Sequence, residues 1–177
     1  LPLVGLLIYA ILAGNAAGPG TSSSHEGTGA TATAGCSCHS SSATSTLTTT
    51  IQLLSGGTPV TTYTPTASYT VRITATNSTG SFVPGFGYQV SVVKDVSGTI
   101  SNAGTLIAPV GSHTVSPGSS GITVVEHTGS QSPSTGTGSS GSTYSRDIPW
   151  TAPAAGTGCA TIYGVINAVN NSGTSSG

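Results

Sequence analysis

The chain has 177 residues, of which only three are Lys or Arg and four are Asp or Glu, for a formal net charge of −1. Such a chain cannot neutralise a row of phosphates, so the composition excludes a nucleic-acid partner. In place of charge the sequence carries 29 Ser and 30 Thr, a third of the chain, and this abundance of Thr with few helix formers favours strands. The composition indicates a secreted or surface protein with one main domain.

The first 13 residues, LPLVGLLIYAILA, form an uncharged apolar run that ends in small residues near Ala17. As a helix this run is short for a bilayer core of about 30 Å, and it is too apolar to face water. The segment resembles the apolar N-terminal helix of type IV pilins, which packs into a filament core, although Gly5 stands where bacterial pilins carry glutamate. The resemblance implies a homopolymer that meets the membrane only before assembly. The alternative is a signal or anchor segment.

If the chain polymerises in this way, other copies bury the large apolar side chains of the segment, and the sequence predicts a helix over residues 1–17. The residues concerned are Leu3, Leu6, Leu7, Ile8, Ile11 and Leu12.

Residues 18–45 are rich in Gly, Ser and Thr and have no periodicity, so they are predicted to form a flexible linker. From residue 46 onward, short alternating patterns recur between turn residues. Six or seven such strands, without a convincing helix, predict a single antiparallel β-sandwich over residues 46–177. Residues 127–143 are predicted to form a long low-complexity loop. The side chains expected to supply most of the sandwich core are Val71, Ile73, Phe86, Tyr88, Val90, Trp150, Ile162 and Tyr163.

Several short sequence blocks occur in a recognisable order. They are Gly85-Phe86-Gly87-Tyr88-Gln89-Val90, Glu126-His127-Thr128, Trp150-Thr151-Ala152-Pro153 and Gly156-Thr157-Gly158-Cys159. Over residues 18–177 the chain resembles the bacterial choice-of-anchor V surface domain, a relative of the eukaryotic reeler domain. The resemblance implies a secreted β-sandwich at the cell surface or outside the cell, and it implies little about activity.

The segment Cys36-Ser37-Cys38-His39 is the one constellation with evident chemistry. Members of the resembled family often carry Cys-x-x-Cys-His at this point, the attachment sequence of c-type haem, in which two thiols form thioethers and the His binds the iron. Here the spacer is one residue rather than two. The resemblance implies haem c on Cys36 and Cys38, with His39 as proximal ligand. A low-spin haem needs a second axial ligand, and we expect His25, from the same or an adjacent chain, because it lies in the linker fourteen residues upstream of His39. His113 and His127 are the alternatives for the distal position.

Two other uses of these cysteines stay open. One is a disulfide from Cys36 or Cys38 to Cys159, which the pattern places in a buried strand, and the other is a small metal site. With a disulfide and no haem, the protein would be a surface-anchored adhesion or binding module.

We expect no enzymatic activity, because Ser and Thr are too common for a Ser–His pair to be informative. The four acids are scattered, and the neighbours Lys94-Asp95 and Arg146-Asp147 suggest local surface pairing. Glycans are a further expectation, since acceptor patterns begin at Asn77 and Asn170.

Overall fold

The computed structural model describes residues 17–23, 25–31, 47–78, 80–118 and 121–171. Apart from residue 17, the apolar N-terminal segment lies outside the described residues, as do Cys36, Cys38 and His39. Among the described residues, no helix is long and apolar enough to cross a membrane. The described part of the chain contains one short helix and ten strands. They are α1 (Pro19–Ser23), β1 (Leu47–Ser55), β2 (Thr58–Val60), β3 (Ser68–Asn77), β4 (Gly85–Val96), β5 (Thr99–Asn102), β6 (Thr105–Leu106), β7 (Ser112–Val115), β8 (Val124–His127), β9 (Thr143–Thr151) and β10 (Thr161–Val169).

The strands form two antiparallel sheets, which confirms the predicted mainly-β fold. Sheet A has the order β2-β1-β3-β9-β6, and sheet B has the order β10-β4-β8-β7 with β5 also paired to β4. In β3 the odd-numbered side chains Val71, Ile73 and Ala75 are buried, while the polar residues between them are half-buried. This alternation is what a strand with one core face requires.

The core between the two sheets contains most of the side chains predicted for it. Six of them are at most 2% exposed, namely Val71, Ile73, Phe86, Tyr88, Val90 and Trp150. Ile162 packs against this core from the edge strand β10 and is only partly buried. Tyr163 was misplaced by the prediction, because consecutive residues of a strand point to opposite faces; its ring packs on the outer side of sheet B instead.

The described residues contain more strands than the six or seven expected, because the short strands β2, β5 and β7 and the nine-residue strand β9 were not predicted. The first half of β9 follows directly on a stretch of Ser, Thr and Gly, and the inward-facing residues Tyr144, Arg146, Ile148 and Trp150 include a charge. The preceding residues 128–142 are not a featureless loop, since Gln131 and Thr135 form bridges to Phe86 and Thr143.

Residues 17–31, which we call the N-terminal strap, pack against the sandwich; residue 24 lies outside the described residues. Gly18, Gly20, Glu26, Gly27, Thr28 and Ala30 are all buried. For residues 18–31 this differs from the predicted flexible linker, whereas residues 32–45 of that linker lie outside the described residues. Periodicity did not reveal the packing because the strap is held by hydrogen bonds and close glycine contacts rather than by an apolar face.

Candidate functional site

The central strand β4 is buried on both faces, which locates the candidate site. Gln89 and Ser91 belong to its outer face, yet both are fully buried. Gln89 pairs in register with Glu126 of β8, which is also fully buried. A polar residue on the outer face of a two-layer sandwich ordinarily meets water. Here the N-terminal strap covers these side chains.

Glu126 is the centre of the contacts between strap and sheet. Its Oε2 accepts hydrogen bonds from the Gly20 amide (2.8 Å) and Gln89 Nε2 (2.7 Å). Its Oε1 accepts from the Thr21 amide (2.9 Å) and lies 2.9 Å from His113 Nε2 of β7. The same His113 nitrogen is 2.6 Å from Thr21 Oγ1. Both carboxylate oxygens are therefore saturated, half by the strap and half by the sheet.

The ionisation of Glu126 follows from this arrangement. Burial alone would raise the pKa of the carboxyl group, because it disfavours the charged form. The hydrogen bonds from Gln89, Gly20, Thr21 and His113 outweigh that effect and hold the pKa below its ordinary value. The group is thus a carboxylate at neutral pH, and its four hydrogen bonds are of the stronger, charge-assisted kind.

Two glycines let the strap approach this carboxylate. A Cβ on Gly20 would lie 2.9 Å from Glu126 Oε2, Pro117 Cγ and Val115 Cγ1. Gly18 has φ +98°, a left-handed conformation that favours glycine, and a Cβ there would overlap the Glu126 side chain. Glycine is therefore required at positions 18 and 20 by the close packing at Glu126.

A second buried carboxylate, Glu26, organises the end of the strap. It accepts from the Thr28 amide at 2.7 Å and from Thr28 Oγ1, and from the Thr31 amide and Oγ1 at 3.2 and 2.8 Å. Burial raises its pKa, but these hydrogen bonds outweigh burial, so the pKa lies below the ordinary value. Thr28 Oγ1 also lies 2.9 Å from Ser91 Oγ, which links this turn to β4.

Gln89 ties the middle of the strap to the sheet. Its Oε1 accepts from the Gly27 amide at 2.7 Å, and its Nε2 donates to the His25 carbonyl at 3.1 Å. Beyond these polar contacts, Ala30 packs with Val93 and Ile122 in a small apolar cluster, with Ile100 and Tyr163 against it. The strap is thus joined to sheet B from Gly18 to Thr31.

The three described histidines, considered as distal haem ligands in the sequence analysis, occupy different environments. His25 is half-buried in the strap, and its amide donates to the Pro19 carbonyl at 3.1 Å. His113 contacts Glu126, as described above. His127 is 9% exposed, and its Nδ1 lies 3.0 and 3.1 Å from the Tyr88 amide and carbonyl. No three His, Cys, Asp or Glu residues of the described chain form a metal-binding group.

Cys159 differs from the sequence prediction. It is exposed, it forms no disulfide with another described residue, and it lies two residues before β10 begins. Its proposed disulfide partners, Cys36 and Cys38, lie outside the described residues.

Two surface expectations also require correction. Asp147 pairs with Arg72 across the sheet at 2.6 Å rather than with its neighbour Arg146, because adjacent strand residues point to opposite faces. Asn77 is 1% exposed, and its Nδ2 donates to the Ser81 and Gly138 carbonyls. The Asn77 pattern is therefore not an accessible glycan acceptor in the folded protein, whereas Asn170 is exposed.

Sequence reasoning missed the two glutamates and the glycines at the centre of this site. One signal was present, because Glu126 ends the apolar run Ile122–Glu126. A lone carboxylate in an apolar strand is buried only with partners. Two of the four partners of Glu126, Gly20 and Thr21, lie more than a hundred positions away, so local pattern did not identify them.

No protein-family model matches the chain, and the search of curated proteins gave no significant match. Solved structures similar to it are reeler domains of F-spondin. The human F-spondin reeler domain (fragment 1) shares 19% identity over 72% of this chain and 77% of that chain, with a TM-score of 0.39. Fragment 2 shares 21% identity over 70% of this chain and 78% of that chain, with a TM-score of 0.42. The Reelin-N domain of F-spondin shares 19% identity over 68% and 74% of the two chains, with a TM-score of 0.41.

These neighbours are of the reeler type that the sequence resemblance named. The assignment to a β-sandwich rests on the strand pairing described above. The choice-of-anchor V relationship and the pilin-like character of the N-terminal segment stay predictions.

Proposed function

We propose that this protein is a non-enzymatic, extracellular β-sandwich module that assembles into a filament through its apolar N-terminal segment. The observation that carries the proposal is the docking of the strap on Glu126. Because Gly18 and Gly20 are held against that carboxylate, residue 17 leaves the sandwich from a defined point on sheet B. A fixed attachment point starts the apolar segment at the same place in every copy, which favours a regular helical assembly.

The composition supports the extracellular location. Four per cent of residues are charged, and solubility would depend on hydroxyl groups and on any glycans attached to them. Ser and Thr supply such groups across the surface.

Electron microscopy of matched variants tests the assembly. Ile8→Asp introduces a charge into the apolar segment, where a buried, unpaired carboxylate costs several kcal/mol, about 5 or more. We expect this variant to lose filaments in negative stain while its circular dichroism keeps the β-sheet signal. Ile107→Asp is the matched control, because Ile107 is 53% exposed on the sandwich. Normal filaments from Ile8→Asp would refute the proposal.

We further propose that the assembled subunit carries one c-type haem on Cys36 and Cys38, with His39 and His25 as iron ligands. The donor set fits this group in kind, since it offers two thiols and two imidazoles, although the spacer between the thiols is one residue. Cys36 follows Thr31 by five residues, so chain length alone limits its distance from Thr31 to about 18 Å. When bound, haem would supply one-electron transfer, and stacked subunits would carry electrons outside the cell.

A pyridine haemochrome assay on purified protein decides the haem proposal. We expect one covalent haem per chain, and His25→Ala should change the visible spectrum while His113→Ala leaves it unchanged. Protein without haem, or a disulfide between Cys159 and Cys36 or Cys38 in peptide mapping, would exclude it.

The exposed thiol of Cys159 favours the alternative, a surface-anchored binding module with a structural disulfide. In that case a shallow groove on sheet A would be the candidate contact surface. Its walls are Arg72, Pro109, Val110, Ser134, Arg146 and Asp147. Intact mass under non-reducing conditions separates the two functions, because it reports haem and disulfide together.

A further inference from the structure

The strand β10 forms one edge of sheet B over nine residues. Its register with β4 is continuous from Thr161↔Val93 to Val169↔Gly85. Antiparallel partners alternate between pairs that exchange hydrogen bonds and pairs that do not. The direction in which each backbone group of β10 points therefore follows from the pairing of β4.

Even-numbered residues of β4 direct their backbone groups away from β10. Phe86 exchanges two hydrogen bonds of 2.8 Å with Gln131, and the Val92 carbonyl accepts from the Ala103 amide at 2.9 Å. Odd-numbered residues of β4 consequently face β10 and bind its odd-numbered residues. This leaves the amides and carbonyls of four residues directed outward, without a hydrogen bond to any other described residue. The four are Ile162, Gly164, Ile166 and Ala168.

This edge lacks the features that protect exposed strands. Natural edges are shortened, or they carry charge, proline or a cover. In this protein β2 has three residues including Pro59, β6 has two residues, and β7 contacts the strap through His113. By contrast, β10 has nine residues and no charge or proline.

We propose that β10 pairs with β10 of a second copy of this chain, antiparallel and about a twofold axis at Val165. A twofold pairing must match residue i with residue 330 − i if Val165 is opposite itself. Ile162 then exchanges hydrogen bonds with Ala168, and Gly164 exchanges them with Ile166. All eight outward groups of each strand are used in this register, which is the reason to prefer it.

The side chains are compatible with this pairing. Val165 shares the outer face of sheet B with its partner Gln89 and would contact the same residue of the second copy. Tyr163 would lie opposite Asn167, so no like charges meet. On the opposite, inner side of β10, Ile51 of β1 is 37% exposed, and its Cδ1 would be 3.0 Å from a Cβ on Gly164. A second copy would cover this apolar side chain.

The interface is separate from the N-terminal segment, so it goes beyond the proposed function and can fail independently of it. A disulfide across the axis tests it in the full chain. The two Val165 residues form a non-hydrogen-bonded pair, whose Cα atoms lie about 4.5 Å apart, within the range that a disulfide bridges. Val165→Cys, in a background with Cys36, Cys38 and Cys159 all replaced by Ser, should give a covalent dimer on a non-reducing gel.

Val96→Cys in the same background is the matched control. Val96 is the last residue of β4, it lies beyond the part of β4 that pairs with β10, and it is 55% exposed. We expect at least tenfold less dimer from it. Equal crosslinking of the two variants, or none from Val165→Cys, would overturn the proposal. The dimer should persist in the Ile8→Asp variant, which separates this interface from filament assembly.

Hydrogen exchange identifies what covers the edge. In the unmodified chain, the amides of the four outward residues should become protected as concentration rises, while the odd-numbered amides of β10 are protected throughout. Protection that does not depend on concentration would show that another segment of the same chain occupies the edge, and the proposal would then be wrong.

Discussion

The substitution Glu126→Gln should release the N-terminal strap while leaving the sandwich folded. The change is nearly isosteric, so it leaves no cavity. It replaces one acceptor oxygen by an NH2 group, which donates, and it removes the negative charge that strengthens all four hydrogen bonds at this site.

The magnitude follows from the geometry. Each carboxylate oxygen accepts from two donors, Oε1 from Thr21 and His113 and Oε2 from Gly20 and Gln89. If an NH2 group replaces Oε2, the Gly20 amide and Gln89 Nε2 lose their acceptor; if it replaces Oε1, the Thr21 amide loses its acceptor, whereas His113 Nε2 can accept in its other tautomer. An unsatisfied donor under the docked strap costs about 1–3 kcal/mol, and each remaining hydrogen bond loses about 1 kcal/mol with the charge, so docking of the strap should lose about 2–6 kcal/mol. Water can reach these groups once the strap detaches, so the loss appears as undocking rather than as global unfolding.

Hydrogen exchange with mass spectrometry measures this loss directly. Peptides from residues 17–31 should exchange at least about thirtyfold faster in the variant, which corresponds to 2 kcal/mol. Peptides from β3 and β9 should be unchanged, because Val71, Ile73 and Ile148 lie in the core between the sheets, away from the strap.

The matched control is Asp147→Asn, which also converts a carboxylate to an amide. Asp147 pairs with Arg72 on the exposed face of sheet A, where the side chains are 48% and 41% exposed. An exposed ion pair adds little stability, so strap exchange should not change. If Glu126→Gln left strap exchange at the wild-type rate, the carboxylate would not be what holds the strap.

Three further substitutions probe the packing of the same fold. Gly18→Ala should undock the strap as fully as Glu126→Gln does, since it places a Cβ on that side chain at φ +98°; strap exchange again checks it, and wild-type rates would contradict it. Gly87→Ala should lower the free energy of unfolding by about 1–3 kcal/mol, because its Cβ would lie 2.5 Å from His127 Cε1; urea unfolding measures this, and an unchanged midpoint would refute the contact. Trp150→Phe should lower the free energy of unfolding by about 2–4 kcal/mol in the same assay. The change shrinks a core side chain, and it leaves the Ala103 carbonyl without the 2.9 Å hydrogen bond from Trp150 Nε1; an unchanged midpoint would contradict this.

The alternation of apolar and polar residues was sufficient to predict the fold class and most of the core. Val71 and Ile73 on β3, and Phe86, Tyr88 and Val90 on β4, are buried as their spacing indicated. Such positions are predictable because the period of a strand is local, and one buried face imposes it on the sequence.

The candidate site was not predictable in this way. Glu126 and Gly20 are 106 residues apart and meet because the strap crosses the outer face of β4 and β8. Nothing in the sequence around Gly18-Pro19-Gly20 marks it as packed, since glycine there serves a close approach that only the folded partner defines.

The sequence by itself therefore determined a nearly uncharged, strand-forming chain and the faces of its central strands, because composition and period act through neighbouring residues. Tertiary structure alone decided that Gln89 and Ser91 are buried, that Glu126 stays ionised without contact with water, and that β10 is left as an open edge. Each of these depends on which distant segment lies against a strand, and hydrogen-bond partners supplied across such distances leave no local pattern.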